Sequence, residues 1–556
     1  LPIFDLGRFS LDNMEVISLY NGQKSAIFQP AKDYSSASAI YMQTRKPLFK
    51  GEKKNNLNIG VKGGSFSTIN PSLLWEHRFN ERISSSISTE YMYTSGRYKF
   101  TYAKKDGYDT TAVRQNGDVR MLRLENAFFG KVPKGEWKAK AYLYNSERGY
   151  PGAAVREEPG KFRHQDRQWD TNLFVQGSFQ NYFKPWYSLL ANGKYAYDYL
   201  HYLSDPRLDV TTMYVDNHYR QQEIYASAAH LFTIYPWWRM SLSNDFQWNA
   251  LRADLIDFVY PTRNTILTSA ATSFDFNRLM LQASLLYTHV DDNTRTKGAN
   301  AGTKNKYTPS VIATWQPLTK LPLNVRAFYK KVFRMPTLND LYYTFIGNKD
   351  LKPEYTTQYD VGITFSHTWN NHWLKSLDLQ IDGYYNEVDD KIIAMPTSNQ
   401  FRWTMINLGH VEIRGLDAAI RGEWGFGKVE LSTLFNYTYQ KAQDFTDPTS
   451  EWYGGQIPYI PWHGGSIILN GSYQTWSCNY SFIYTGERYE AVANIPENYA
   501  QPWYTHDFSL SKTFQWGKTG IRVTAEINNI FNQQYEVVQC YPMPGTSFKI
   551  KLNVML

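Results

Sequence analysis

Apolar and polar residues alternate along most of the chain from about residue 57 onward. The clearest example is the final segment 547–556, where every second residue from Phe548 to Leu556 is apolar and the residues between them are Lys, Asn and Met. Successive side chains of a β-strand point to opposite faces, so this pattern predicts strands with one face toward lipid and the other toward water. Weaker versions of the pattern occupy 83–93, 172–179, 279–287 and 521–527.

Short turns that combine Pro, Gly or Asn with flanking aromatic residues separate these segments. They lie at 79–82, 132–135, 181–185, 235–237, 275–278, 317–320, 369–372, 424–427, 474–476 and 516–519. The intervals of roughly 40 to 55 residues leave room for two tilted strands of about 10 residues each and one long loop. Ten such strand pairs, with a first and a last strand added, predict about 22 strands, more than in porins of about 16 to 18 strands.

Long polar segments rich in Gly, Asn and Asp alternate with the short turns. They span 103–118, 145–169, 199–219, 290–306, 389–403, 442–461 and 486–502. Loops of this length in a compact protein are usually functional or disordered. We therefore expect them at the extracellular end of a barrel, where a ligand first arrives.

Composition narrows the class of protein. The mean hydropathy of −0.52, with no apolar stretch near the roughly 18 residues that a spanning helix needs, excludes a helical membrane protein. The 43 Tyr, 31 Phe and 17 Trp favour a barrel with aromatic girdles. The net charge of +8 is small for the length and comes without a basic patch, so we infer no nucleic-acid binding. Cys478 fits a small outward-facing strand residue better than a disulfide partner of Cys540.

The first 47 residues do not follow the barrel pattern. The segments 11–22, 25–28 and 37–44 resemble the last third of the plug domain of TonB-dependent receptors. The family usually has Arg-Gly-Pro before the Ser-Ala segment, whereas this chain has Asn21-Gly22-Gln23. Contacts that the family makes through that Arg are therefore not carried over.

Three later stretches resemble the barrel of the same family. They are 333–342 with 347–348 and 351–354, then 407–409 with 413–417, and finally 528–535 with 541–545. The final strand ends in Leu556, where the family usually has an aromatic residue. The resemblance implies an all-β fold: a transmembrane antiparallel β-barrel of about 22 strands at 48–556, with the C-terminal remnant of a plug domain at 1–47.

The resemblance also implies a function. Such receptors lie among outer-membrane lipids and are driven by a TonB–ExbB–ExbD complex, through a plug segment that we expect to precede residue 1 together with a signal peptide. Their substrates include corrinoids such as vitamin B12, ferric siderophores, haem and glycans. We rank corrinoid uptake first and expect a surface lipoprotein partner at the extracellular end. A passive porin or an adhesin is the alternative of another class, although neither would contain the plug-like residues.

Candidate substrate contacts are aromatic and polar residues of the plug-like segment and of the long loops, because aromatic platforms with a few polar groups suit a large planar chelate. They are Phe28, Gln29, Lys32, Tyr34, Tyr150, Arg163, Trp169, Trp403 and Trp452. Arg334 and Glu354 are interpreted as a structural pair that fixes the barrel wall near the plug. An interface girdle explains the aromatic residues at loop ends almost as well.

Metal and catalytic chemistry have weak sequence support. The pairs Asp291–Asp292 and Asp389–Asp390 offer the clustered oxygens that Ca²⁺ takes in extracellular loops, although solvated turns are the simpler interpretation. Four histidines, His164, His410, His463 and His506, have no ligand partner at useful spacing, so we expect no resident metal cofactor. The chain has neither Gly-x-Ser-x-Gly nor His-Glu-x-x-His, and we expect no enzyme.

Overall fold

A computed structural model describes residues 6–10, 13–21, 26–103, 109–154, 166–205, 214–296, 300–343, 347–370, 373–396 and 403–556. Most of these residues lie in long antiparallel strands that follow one another around a single closed barrel. In the described ranges, no helix is long and apolar enough to cross a membrane.

The strands follow in chain order. They are β1 (Met14–Asn21), β2 (Ser38–Thr44), β3 (Asn55–Gly64), β4 (Thr68–Arg78), β5 (Ile83–Thr94), β6 (Lys99–Ala103), β7 (Asp109–Val113), β8 (Val119–Val132), β9 (Gly135–Tyr150), β10 (Asp166–Lys184), β11 (Tyr187–Ser204), β12 (Val215–Tyr235), β13 (Trp238–Ala253), β14 (Thr262–Phe276), β15 (Leu279–Asn293), β16 (Thr303–Trp315), β17 (Leu323–Arg334), β18 (Glu354–Thr368), β19 (Leu374–Pro396), β20 (Trp403–Phe426), β21 (Val429–Asp444), β22 (Gly455–Gln456), β23 (His463–Tyr473), β24 (Trp476–Thr485), β25 (Arg488–Tyr489), β26 (Tyr499–Ala500), β27 (Trp503–Trp516), β28 (Thr519–Asn528), β29 (Glu536–Val538), β30 (Tyr541–Pro542) and β31 (Ser547–Met555). The short helix α1 spans Leu338–Tyr342, and 3-10 turns span Leu6–Arg8, Ala31–Tyr34 and Pro496–Asn498.

The barrel closes where its last strand meets its first. Strand β31 pairs with β3 from Met555 opposite Asn58 to Lys549 opposite Gly64. The barrel sheet contains 23 strands of the described chain, and β22, with only two residues, is an extension beside β21, so 22 long strands form the wall. The all-β prediction of about 22 strands is confirmed. The remaining short pairs, β1–β2, β6–β7, β25–β26 and β29–β30, lie outside the wall sheet.

The wall alternates between an exposed apolar face and a polar inner face. On β31, Phe548 and Ile550 are exposed while Ser547 is buried. Because a lipid-facing surface needs apolar side chains and a wet lumen needs polar ones, this alternation places the apolar face outside. Cys478 is exposed beside outward-facing Leu510, and Cys478 and Cys540 are free thiols.

The described residues of the ten predicted short turns, which exclude 371–372, lie at one end of the barrel, here called the short-turn end. Aromatic rings stack around it: the centroids of Tyr235 and Trp237 are 5.5 Å apart, and those of Trp373 and Trp424 are 5.2 Å apart. Gly427 and Gly517 have φ values of +64° and +59°, which suit Gly at the start of a two-residue turn. The turns and their aromatic girdle agree with the sequence pattern.

The strands are longer than the sequence pattern predicts. Strands β19 and β20 have 23 and 24 residues, about twice the 9 to 11 that span a bilayer. Parts of the predicted loops 145–169, 199–219 and 389–403 are therefore strand. Beyond the bilayer both faces of a strand meet water, so apolar alternation fades while the backbone hydrogen bonds continue. The opposite end is here called the long-loop end.

The described residues 6–10, 13–21 and 26–47 lie inside the barrel. Strands β1 and β2 pair antiparallel, from Met14 opposite Thr44 to Asn21 opposite Ser38. The 3-10 turn between them packs on the wall, where Ile27, Ala31 and Tyr34 form a buried cluster with Leu267 and Leu286. This internal segment is built from the plug-like part of the sequence.

Candidate functional site in the lumen and its mouth

The internal segment is bound to the wall through its backbone. The Asp245 carboxylate accepts hydrogen bonds from the backbone N–H groups of Ala31 at 3.1 Å and Lys32 at 2.8 Å. Ser243 Oγ donates to the Gln29 carbonyl at 2.8 Å. Asp245 also accepts from the Tyr225 hydroxyl at 2.7 Å, so one buried carboxylate holds the first turn of the 3-10 helix.

Further polar contacts attach the segment to other parts of the wall. Lys330 Nζ donates to the Ser36 carbonyl at 2.7 Å. On strand β8, Glu125 accepts from Asn13 Nδ2 at 2.7 Å, and on β10 Asn172 accepts from Arg8 at 3.0 Å. The segment therefore contacts both the β8–β10 and the β13–β18 parts of the wall.

The predicted ligand residues of the internal segment largely face the wall. Gln29 and Tyr34 are buried, and the Tyr34 hydroxyl donates to the Ile27 carbonyl at 3.0 Å. Burial raises the pKa of the Tyr34 phenol above its ordinary value. The ring centre of Phe28 lies 6.5 Å from that of Tyr182, next to the short-turn end. The Lys32 side chain is exposed and borders a cavity of about 370 Å³.

The charged side chains that line this cavity are mostly basic. Lys32, Asp33, Lys138, Lys140, Lys194 and Glu223 are among its lining residues. Gln29 and Tyr34 therefore occupy positions that support the docking of the segment, while Lys32 is placed to meet solute in the lumen. Their assignment as substrate contacts stays a prediction.

Tyrosines gather on one side of the long-loop end. The rings of Tyr150 and Tyr202 lie 6.4 Å apart, and the Tyr202 hydroxyl donates to Asp166 Oδ2 at 2.6 Å. The Arg114 guanidinium lies 5.7 Å from the centre of the Tyr541 ring. Tyr150 has the same strand parity as Tyr144, which is buried in the lumen beside Arg8, so Tyr150 faces the lumen.

A second aromatic pair lies at another part of the mouth. Trp403, at the start of β20, is 5.9 Å from the ring of Tyr459, and it shares a face with Met405, which packs in the lumenal cluster around α1. Burial, with the Glu490 carboxylate adding to it, raises the pKa of Tyr459 to about 12. Trp452 is half-buried in the loop after β21.

The loop 529–546 joins these two sides. Arg488 is buried and donates to the carbonyls of Glu536 at 2.8 Å and Val537 at 3.1 Å. The Ala154 N–H donates to the Cys540 carbonyl at 2.6 Å. Tyr98 Oη donates to the Pro542 carbonyl, also at 2.6 Å. Segments that are far apart in sequence thus converge over the lumen.

Trp169 lies on the outer face of the barrel. It belongs to strand β10 and not to a long loop, and its neighbour Asp170 contacts Arg8 inside the lumen at 3.9 Å. Consecutive strand residues point to opposite faces, so the Trp169 indole faces outward. This placement separates Trp169 from the lumenal Tyr150 and Trp403. Arg163 lies outside the described residues.

Arg334 and Glu354 form the expected pair. They are opposite each other on β17 and β18, with Arg334 Nη1 3.3 Å from Glu354 Oε2. Glu354 also accepts from the Ile392 N–H at 2.9 Å, and Arg334 lies 3.5 Å from Asp340 of α1. The pair fastens α1 to the wall, an arrangement that supports a structural role.

In neither of the two aspartate pairs considered as possible calcium ligands do both carboxylates have the same partner. Asp292 is buried against Arg263 at 2.5 Å, whereas Asp291 on the opposite face accepts from Thr303 at 2.8 Å. Asp389 contacts His410 at 2.8 Å, and Asp390 lies 3.8 Å from Lys352. All four belong to strands, so the expected loop geometry is absent from these described residues.

The three described histidines of the four without a ligand partner at useful spacing in the sequence each contact a neighbouring side chain. His410, His463 and His506 all lie within strands. The rings of His463 and His506 contact the hydroxyls of Tyr437 at 2.8 Å and Tyr480 at 2.6 Å. His164 lies outside the described residues.

A large closed barrel with an internal segment docked in its lumen defines the class of a plugged outer-membrane barrel. The family model described as TonB dependent receptor-like, beta-barrel matches residues 52–530. The chain belongs to this family, and it is an outer-membrane protein, as predicted. The family and fold are those of receptors and transporters.

Curated relatives and solved structures agree with this assignment. The vitamin B12 transporter BtuB of Photobacterium profundum is 28% identical over 244 residues, which cover 42% of this chain and 36% of the relative. A BtuB of Vibrio vulnificus is 31% identical over 207 residues, which cover 37% of this chain and 29% of the relative. The matches thus span about a third of these relatives. The unliganded ferric citrate transporter FecA has a TM-score of 0.75 at 12% identity, covering 99% of this chain and 85% of that one.

Sequence reasoning missed several residues of the mouth. Tyr202, Tyr459 and Arg488 carry no local signal, because their roles depend on which loops meet. Tyr541 belongs to the Tyr-Pro-Met-Pro-Gly stretch that drew attention as a family resemblance, yet its approach to Arg114 follows only from loop packing.

Proposed function

We propose that this chain is the barrel and final plug segment of a TonB-dependent active importer whose substrate is a corrinoid of the vitamin B12 type. The observation that carries the importer class is the internal segment bound to the wall from Asp245 to Lys330. A passive porin needs no such segment, whereas regulated import of a large solute requires an obstacle that can rearrange. Energy would come from a TonB–ExbB–ExbD complex.

Two observations support the corrinoid. Both curated relatives named above are vitamin B12 transporters. The lumenal mouth offers aromatic rings from Tyr150, Tyr202, Trp403, Tyr459 and Tyr541, and Arg114 lies beside Tyr541. Flat aromatic surfaces with few polar groups suit a large, partly apolar macrocycle. A surface lipoprotein that covers the long-loop end is part of the same proposal.

A ferric chelate is the second candidate substrate. The likeness to the ferric citrate transporter favours it at the level of fold. The basic cavity beside Lys32, which includes Lys138, Lys140 and Lys194, suits an anionic chelate better than a corrinoid.

Calorimetric titration of the barrel, purified from outer membranes in detergent, separates these candidates. We expect nanomolar binding of cyanocobalamin and no comparable binding of ferric citrate or haemin. Tight binding of an iron chelate, without binding of cyanocobalamin, would contradict the corrinoid substrate but would agree with an importer. Uptake of radiolabelled cobalamin by cells with and without TonB tests the energy source, and equal uptake in the two strains would contradict active import.

A further inference from the structure

The outer surface of the barrel carries a group of metal-ligating side chains apart from the lumen. His201 on β11 pairs directly with His218 on β12, and Asp216 lies two residues before His218. His201 Nε2 is 2.7 Å from Asp216 Oδ1, and His218 Nε2 is 3.7 Å from the same oxygen. One ligand atom from each of the three residues lies within 4.8 Å of the others.

The parity of the strands places this group outside the lumen. Tyr219, next to His218, is buried in the lumenal cluster around α1, so His218 faces the exterior. Ile224 is exposed on the same face of β12 and belongs to the apolar wall. It follows His218 by six residues, a distance of roughly 20 Å at about 3.3 Å per residue. The histidines therefore lie above the apolar band, toward the long-loop end.

A fourth residue fixes the orientation of one imidazole. Asp254 accepts from the His218 backbone N–H at 2.8 Å and contacts His218 Nδ1 at 3.0 Å. A carboxylate only accepts hydrogen bonds, so Nδ1 carries the proton and Nε2 of the neutral ring keeps its lone pair. That lone pair lies on the side of Asp216. A carboxylate behind a ligating histidine is the arrangement that orients and strengthens such ligands in metal sites.

We propose that His201, His218 and Asp216 form a three-ligand site for a borderline divalent transition-metal ion such as Zn²⁺. Tetrahedral zinc with bonds of about 2.0–2.2 Å places ligand atoms roughly 3.4 Å apart. The 2.7 and 3.7 Å distances from the two histidines to Asp216 Oδ1 lie on either side of that value. On binding, the neutral His201 ring takes the tautomer that carries its proton on Nδ1, so that the Nε2 lone pair becomes a ligand together with His218 Nε2 and Asp216 Oδ1. The fourth position stays open to water.

Zinc titration of the full barrel in detergent, with a fluorescent chelator as competitor, tests this site. We expect one Zn²⁺ per chain, and the Kd to rise at least tenfold in the His201→Gln/His218→Gln double variant. His289→Gln is the matched control, since His289 is another half-buried strand histidine, whose Nδ1 lies 2.7 Å from the Asn305 side-chain oxygen. It should leave the Kd unchanged.

The supporting shell gives an independent test. Asp254→Asn should raise the Kd roughly 10- to 100-fold, as loss of such partners does in other sites. Bound Co²⁺ should give the visible absorption of low-coordinate cobalt in the parent and in His289→Gln, and lose it in the double variant. Correct barrel folding is checked by heat-dependent gel mobility. Equal zinc affinity in the parent and the folded double variant would overturn the proposal.

Discussion

The carboxylate of Asp245, on wall strand β13, accepts a 2.8 Å hydrogen bond from the backbone N–H of Lys32 in the internal segment. The same carboxylate also accepts hydrogen bonds from the backbone N–H of Ala31 and from the Tyr225 hydroxyl. Because this single carboxylate satisfies three donors, a change at Asp245 alone is expected to weaken the attachment of the first turn of the 3-10 helix to the wall.

The first prediction concerns this attachment. Asp245→Ala leaves buried donors of Ala31, Lys32 and Tyr225 without an acceptor, which costs about 1–3 kcal/mol for an unsatisfied group. We expect faster hydrogen exchange at the amides of Ala31 and Lys32. Asp275→Ala, at an exposed short turn, is the control and should leave that exchange unchanged. Unaltered exchange in Asp245→Ala would show that other contacts hold the segment.

The second prediction concerns the mouth loops. Arg488→Ala removes donors to the carbonyls of Gln501, Glu536 and Val537, and should destabilise the local packing of the 529–546 loop by about 1–3 kcal/mol. Hydrogen exchange and limited proteolysis of 536–541 measure the effect. Arg414→Ala is the matched control, because Arg414 is exposed and its ion pair with Glu412 lies at the surface. Similar protection in both variants would refute the role of Arg488.

A third prediction distinguishes the two faces of the wall and rests on the proposed corrinoid. Trp403→Ala should raise the Kd for cyanocobalamin roughly tenfold or more, since a central aromatic contact at an interface is commonly worth about 2 kcal/mol or more. Trp169→Ala removes the same side chain from the outer face and should change the Kd little. Calorimetry measures both. A larger effect from Trp169 would reverse the assignment of faces.

The fourth prediction is a dependence on pH. Hydrogen bonds from the Arg167 guanidinium, at 2.9 and 3.2 Å, hold the pKa of the Asp118 carboxyl below its ordinary value. A carboxyl with a lowered folded-state pKa stabilises the fold above its unfolded pKa of about 3.9 and loses that contribution as pH falls through the folded value. Asp118→Asn should therefore loosen the 114–118 segment at pH 6 more than at pH 3. Hydrogen exchange of the parent and the variant, measured at both pH values, checks this. A difference between parent and variant that is the same at pH 6 and pH 3 would argue against the ion pair.

The sequence by itself determined the barrel. Period-2 alternation, as in Phe548 to Leu556, and the aromatic short turns are local signals, because each strand must place apolar side chains toward lipid whatever its neighbours are. These signals predicted about 22 strands, the ten turns and the outward face of Cys478. The resemblance of residues 1–47 to a plug pointed to a segment inside the lumen.

Only the tertiary structure decided what each candidate residue contacts. Register across a hairpin brings His201 beside His218 and turns Trp169 outward, and loop packing brings Tyr541 to Arg114. The docking of Gln29 and Tyr34 depends on strands that follow them by about two hundred residues or more. A local pattern fixes which face of a strand is apolar, but a site needs side chains from distant strands, and their alignment exists only once the barrel has closed.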